Sequence, residues 1–279
     1  MSAEAPPRAA AAVAVADAVA DAGASVNAAA GAATRANLAR ALERVGIIIG
    51  ISLLANVVVD GVVREAGSWH AALRWGAAYA AAGVVLLLAS GALVSRVFLR
   101  GRMRAEVARG NVSAGLVAAG HYVAVGWILD SCLFGRDLRS LTVSALFYLI
   151  GVATLIVLQL MYRGLTHYAD DQEVVGDNAA AALGFAGITL AFAIIIAHAA
   201  EGTFIDWGTS LRGYALALLL ALALYPVRQL VVGPLLLGLP ARARGGALDR
   251  LVAQERSVTV GAIEALAYVA MALLATAIG

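Results

Sequence analysis

The chain has no lysine: all 20 of its basic residues are arginine. Set against 18 acidic residues they leave a net charge of only +2, so the broad cationic face of a nucleic-acid-binding protein is missing and no such partner is expected. Cysteine occurs once, at Cys132, which excludes an intramolecular disulfide and any zinc site that needs two thiolates. Charge of either sign is scarce. Only 14% of the 279 residues are charged while 62% are hydrophobic, and the mean hydropathy is +0.87. That is too little polar surface to coat a water-soluble fold of this length. A phosphate-cradling glycine loop, an HExxH helix and a nucleophile elbow are absent, and no hydrophilic segment is long enough to house catalysis. Neither an enzyme, a cofactor nor a metal centre is therefore expected.

What the sequence does contain is apolar runs of roughly 20 residues, the length of a helix that crosses a bilayer. The run from Asn178 to Gly202 recurs upstream without gaps. Setting Asn178 over Asn111 and Asn37 aligns Leu183 with Leu116 and Leu42, Gly187 with Gly120 and Gly46, and Gly202 with Gly135 and Gly61. A weaker copy begins at Ser257. Such self-similarity marks a repeat architecture. The expectation is an all-α, polytopic transmembrane helix bundle of about seven spans, built from tandem helix-pair repeats that run parallel. Residues 1–34 form an Ala-rich tail without the basic start and apolar core of a signal peptide. A degenerate first helix pair covers 35–104, a second 105–168 and a third 169–240; residues 241–279 supply a basic loop and one closing helix. Pro226 and Arg228 are expected to mark where the sixth span leaves the hydrocarbon, with Pro234 and Pro240 in an interfacial extension.

Orientation follows from arginine. Arg96, Arg100, Arg102, Arg104 and Arg109 cluster in one short loop, and Arg242, Arg244, Arg250 and Arg256 in another. Basic loops beside spans stay in the cytoplasm. The N-terminus is thus expected inside and the C-terminus outside, in a bacterial inner membrane, with the lipid bilayer as partner. The same loops suit anionic lipid headgroups, and small-residue helix faces suit a homo-oligomer.

Two repeats share a fuller opening, EVARGNVSAGL from Glu106 and EVVGDNAAAAL from Glu173. This E-x4-N-x-[AS]-A-x-L pattern, followed by a Gly-punctuated span and a second apolar helix, resembles the YjfL-like bacterial inner-membrane family, domain of unknown function 350, in tandem copies. The resemblance is strongest over Glu106 to Gly238; the flanking copies have Ala32 and Val252 where the glutamate stands. It implies a multi-pass membrane protein, with relatives associated with envelope stress, and it carries over no catalytic residues.

Polar residues inside the spans are the remaining candidates. Asn37, Asn111 and Asn178, with Gly46, Gly120 and Gly187, fit helix capping and close helix packing. Near the opposite ends of the odd-numbered helices stand Asn56 and Asp60, Asp130, and His198 and Glu201. Gathered by pseudo-symmetry, these acids would form a ring that attracts cations; as interfacial carboxylates they would simply face water. Deeper lie His121, Gln159 and Glu264. His121 is placed to relay protons or to bond across a helix interface. Glu264 needs a basic partner from another span, or else a proton. Two functions stand open: permeation of a small cation or proton along Asp60, Asp130, His121, His198, Glu201 and Glu264, or a structural or signalling membrane scaffold that binds lipid or partner proteins.

Overall fold

The computed structural model describes residues 31–57, 59, 68–133, 137–200, 207–242 and 245–278. Helix α1 spans 31–57, followed by α2 (Trp69–Phe98), α3 (Met103–Ala108), α4 (Val112–Cys132), α5 (Leu138–Leu165), α6 (Asp170–Val175), α7 (Ala179–Ala200), α8 (Trp207–Val227), α9 (Ala247–Ala253) and α10 (Val258–Ile278). Among the described residues six helices are long and apolar enough to cross a membrane: α2, α4, α5, α7, α8 with its continuation, and α10. Helix α1 takes the seventh place in the array. The chain is an all-α, polytopic membrane bundle with an internal repeat.

The long helices form two layers. In the first, α1, α4, α7 and α10 lie side by side. A Cβ on Gly46 would overlap the backbone of Ala119, one on Gly120 would stand 3.0 Å from Ala186 Cβ, and one on Gly187 would overlap Ala265. Each glycine is the ninth residue after its repeat start, at Asn37, Asn111 or Asn178, and each alanine the eighth after the next start, at Asn111, Asn178 or Ser257. One contact is therefore used three times. A lower rung repeats too: Gly115 closes on Ala39 and Gly261 on Ala180. Later residues of one helix meet later residues of the next, so the row is parallel. Lipid provides no hydrophobic drive to press helices together, and small residues instead let backbones approach.

The second layer holds α2, α5 and α8, each lodged between two helices of the first. Leu54 of α1 packs on Gly83 of α2, and Ile128 of α4 and Ile196 of α7 both reach Gly151 of α5. Being flanked on both sides, α4 and α7 bury 72% and 83% of their most apolar windows, against 33% for α2 and α5. The centre of the molecule is α7.

At one end of the row, short helices lead into the long ones. The side chain of Asn111 accepts from Ala114 N–H at 2.8 Å and caps α4, while its amide donates to Glu106 Oε2 at 2.9 Å and to the carbonyl of Val174 at 2.8 Å. Asn178 does the same at α7, accepting from Ala180 N–H at 3.1 Å and donating to Glu173 at 2.9 Å and to the Val252 carbonyl at 2.9 Å. One side chain thus caps its own helix and ties it to the short helix of the next repeat. Asn37 departs from this pattern. Helix α1 is already formed at residue 31, so Asn37 lies inside it, exposed, rather than at a cap position. With Ala32 in place of the glutamate, helix-favouring residues run straight through the start of this copy.

The sixth span also departs from expectation. The chain does not leave the bundle at Pro226 and Arg228. Helix α8 continues as a wide π-helical stretch, Arg228–Leu236, and the apolar span runs from Tyr214 to Leu236. Pro226 lies in the last turn of α8 and Pro234 within the π-helical stretch; both lack the N–H that a regular helix needs, and the winding widens directly after Pro226.

Candidate functional site

Where this stretch meets α10, the bundle encloses charge. Glu264 stands on the α10 face that looks at Gly184 of α7, where a Cβ would come within 3.4 Å of its carboxyl carbon. Arg228, at the first turn of the π-helical stretch, donates from Nε to Glu264 Oε1 at 2.6 Å. Both residues are 0% exposed. The far side of the guanidinium, Nη2, lies 2.5 Å from Oδ1 of Asp249, a buried residue of α9. Arg228 is thus the basic partner from another span that Glu264 requires, and its burial overturns its reading as a residue leaving the membrane. Gln229, in the amide orientation that satisfies both its ends, accepts from Arg228 Nη1 at 3.2 Å and donates to the Arg242 carbonyl at 2.6 Å.

Tyrosines complete the cluster. Tyr268, one turn beyond Glu264, donates to Glu264 Oε1 at 3.1 Å; its hydroxyl also meets that of Tyr162 from α5 at 2.7 Å. At the rim, Thr166 donates to the buried carboxylate of Asp170 at 2.9 Å. Burial pushes the Asp170 carboxyl up to about 7, outweighing the opposing effects of the Thr166 hydrogen bond and of Arg228. Among the described residues, Glu264 Oε2 and Asp249 Oδ2 have no hydrogen-bond donor. One guanidinium faces both Glu264 and Asp249. An ionised carboxylate taken out of water is costly unless paired, and here two buried carboxyl groups share a single buried arginine.

A second polar pocket lies on the other side of α7. His121 of α4 is 0% exposed, with Nδ1 at 3.0 Å from the Ser95 hydroxyl of α2 and its ring edge-on to Phe98 and Phe185. Its Nε2 has no hydrogen-bond partner among the described residues. Gln159 donates to Thr189 at 2.9 Å, joining α5 to α7. His121 and Glu264 face Phe185 and Gly184, neighbours on α7.

The other candidates lie elsewhere. Asp130 is half-buried near the end of α4, and His198 is exposed near the end of α7. Asp60 and Glu201 fall outside the described residues, so a ring joining them to Asp130 does too. Among the described residues no group of three His, Cys, Asp or Glu is placed to hold a metal. Sequence reasoning missed Asp249, Asp170, Tyr162 and Tyr268. A signal for part of this existed: Arg228 and Gln229 are followed by the apolar run LVVGPLLLG, which reads as continuing membrane, and Tyr268 stands one turn after Glu264.

Fold and site together define a polytopic helical membrane protein, a parallel row of repeated helices around a charged interior. More particularly, the chain belongs to the family described as Domain of Unknown Function (DUF350), whose profile matches residues 9–133 and 137–278 as two tandem copies. The division falls between α4 and α5. No curated protein and no solved structure is significantly similar to the chain.

Proposed function

We propose that this protein carries protons, or a small cation exchanged for them, across a bacterial inner membrane through the polar core between α7, α8 and α10. The observation that supports it most is the Arg228–Glu264 pair, wholly enclosed within the span region and joined to Asp249 and two tyrosines. Ionisable groups inside membrane helices are expensive and mark transport or relay sites by default. Here the acids outnumber the guanidinium, and the hydroxyls of Tyr162 and Tyr268 extend the chain of exchangeable protons. Asp130, half-buried near the end of α4, supplies a carboxylate for the outer mouth. No catalysed reaction is part of this reading. The short-helix end faces the cytoplasm, in keeping with the arginines at 96, 100, 102, 104 and 109.

The test is proton flux in proteoliposomes under an imposed potential, read with an enclosed pH dye. Wild-type protein is expected to conduct above empty vesicles, Glu264→Gln to lower the flux about tenfold or more, and Asp130→Asn with Glu201→Gln to lower it further without altering the thermal melt. Wild-type vesicles no leakier than empty ones would sink the reading. That outcome favours a structural or signalling scaffold, a reading supported by the backbone contact that closes the first-layer row along its length.

A further inference from the structure

On the flank of the bundle away from Arg228, a cleft of about 430 Å³ opens between α1, α2, α3 and α4. Its apolar wall is Ala89, Ala92 and Leu93 of α2, with Tyr122 of α4 beside them; Arg96, Arg104 and Glu43 stand around it. The repeat gives a direct comparison. Arg96 and Arg163 each lie fifteen residues before the next repeat start, Asn111 or Asn178, while Arg104 and Asp171 each lie seven before it. In the second copy these positions neutralise each other, Arg163 Nη2 standing 2.8 Å from Asp171 Oδ1. In the first copy both are arginine. Among the described residues neither Arg96 nor Arg104 forms an ion pair, and both are exposed at the cleft. Glu43 is the single acid lining the cleft against these two arginines, and the fork of donors on a guanidinium matches a phosphate.

We propose that this cleft binds one anionic phospholipid, its phosphate held between Arg96 and Arg104 and an acyl chain laid along Ala89, Ala92 and Leu93. A lipid rather than a free anion fits because Arg96 sits at the last turn of the membrane helix α2 and Arg104 on the short helix α3 just beyond it, while the apolar wall continues from Arg96 back along α2 toward the bilayer interior. Leu93 is itself 49% exposed there. Glu43 accepts from a headgroup hydroxyl, which a phosphatidylglycerol provides. Ser95 lines the same cleft and bonds His121, so the lipid lies one side chain from the buried imidazole.

The experiment is titration of the full chain in mild detergent with phosphatidylglycerol, read by native mass spectrometry, with phosphatidylcholine and excess inorganic phosphate as separate arms. One phosphatidylglycerol is expected to be retained per chain and not displaced by phosphate. Arg96→Gln with Arg104→Gln is expected to weaken retention about thirty-fold. Arg104→Asp, which gives the first copy the pairing of the second, should weaken it at least as much. Leu93→Trp should weaken it with both arginines intact. Arg100→Gln with Arg102→Gln, an equal loss of charge on the same loop, should change it less than about twofold. The proposal is overturned if that control loses as much as the cleft variant, if phosphatidylcholine is retained equally, or if inorganic phosphate alone displaces the lipid. Unchanged thermal melts of these surface variants make each loss a binding effect.

Discussion

At the scale of single residues, the chemistry of this protein is concentrated on Arg228. Its guanidinium holds Glu264 on one edge and Asp249 on the other while fully enclosed. Removing one partner of such a pair strands a buried charge, and Arg228→Met is expected to cost about 3–5 kcal/mol, measured by thermal or denaturant unfolding in detergent. Replacing Arg228 and Glu264 together by methionine should recover much of that loss, since the desolvation of both charges goes with them. A double variant no more stable than the single one would show that Asp249, not Glu264, is the partner that matters. Asp170 supplies a pH signature. Its carboxyl rises from the usual range near 3.8 to about 7 on burial. Below both values it is protonated whether the chain is folded or not, and no stability depends on it. Between them the folded state holds the extra proton, so stability falls as pH rises through this window and the loss is complete above about 7. The groups acting on it are Thr166, Arg228, Glu264 and Arg163. Asp170→Asn is expected to flatten the stability profile between pH 4 and 7, and a melting series across that range checks it. An unchanged slope would mean that the carboxylate is solvated.

At the scale of elements, two devices repeat. The Asn clasp caps α4 and α7 and bonds each to the following short helix; Asn111→Ala or Asn178→Ala should cost about 1–2 kcal/mol for the lost cap, with more for the released glutamate. The Gly–Ala rung sets the distance between first-layer helices. Gly187→Leu meets the backbone of Ala265 and is expected to destabilise by about 1–3 kcal/mol or more through overpacking, read as a lower melting temperature. The ends of the row carry the rung's own stop. The position of the rung glycine in the last repeat is Leu266, 69% exposed, and that of the alanine in the first is Val45, 49% exposed. Branched side chains at these two sites keep another helix from adding by the same contact, so the row ends where it does.

At the scale of the whole molecule, parallel repeats place every Asn-led end of the first layer on one face of the membrane. Single cysteines at Arg102, Gln172 and Gln254 in a Cys132→Ala background are expected to react with an impermeant thiol reagent from one side, and a cysteine at Asp137 from the other. Labelling of the Arg102 and Gln254 positions from opposite sides would overturn the parallel arrangement. The membrane class, the repeat and the helix order were legible in composition and spacing because a span must be long and apolar, and because a copied contact leaves a copied glycine. The site was legible only in part. Glu264 stood out as a lone acid in an apolar helix, and its need for a basic partner could be stated from the chain alone. Which residue meets that need could not, because Arg228 beside Pro226 has the local pattern of a helix end, and Asp249 has the local pattern of a polar loop.

Sequence by itself determined that this chain lives in lipid, that one unit is repeated within it, and that its small residues fall at fixed intervals; those are one-dimensional properties of length, polarity and period. Tertiary structure alone decided which charges meet. Arg228, Asp249 and Glu264 lie on three separate elements, and their pairing arises from a π-helical stretch that neither composition nor period encodes. A buried charge is made tolerable by its surroundings, and surroundings are a property of packing rather than of order along the chain.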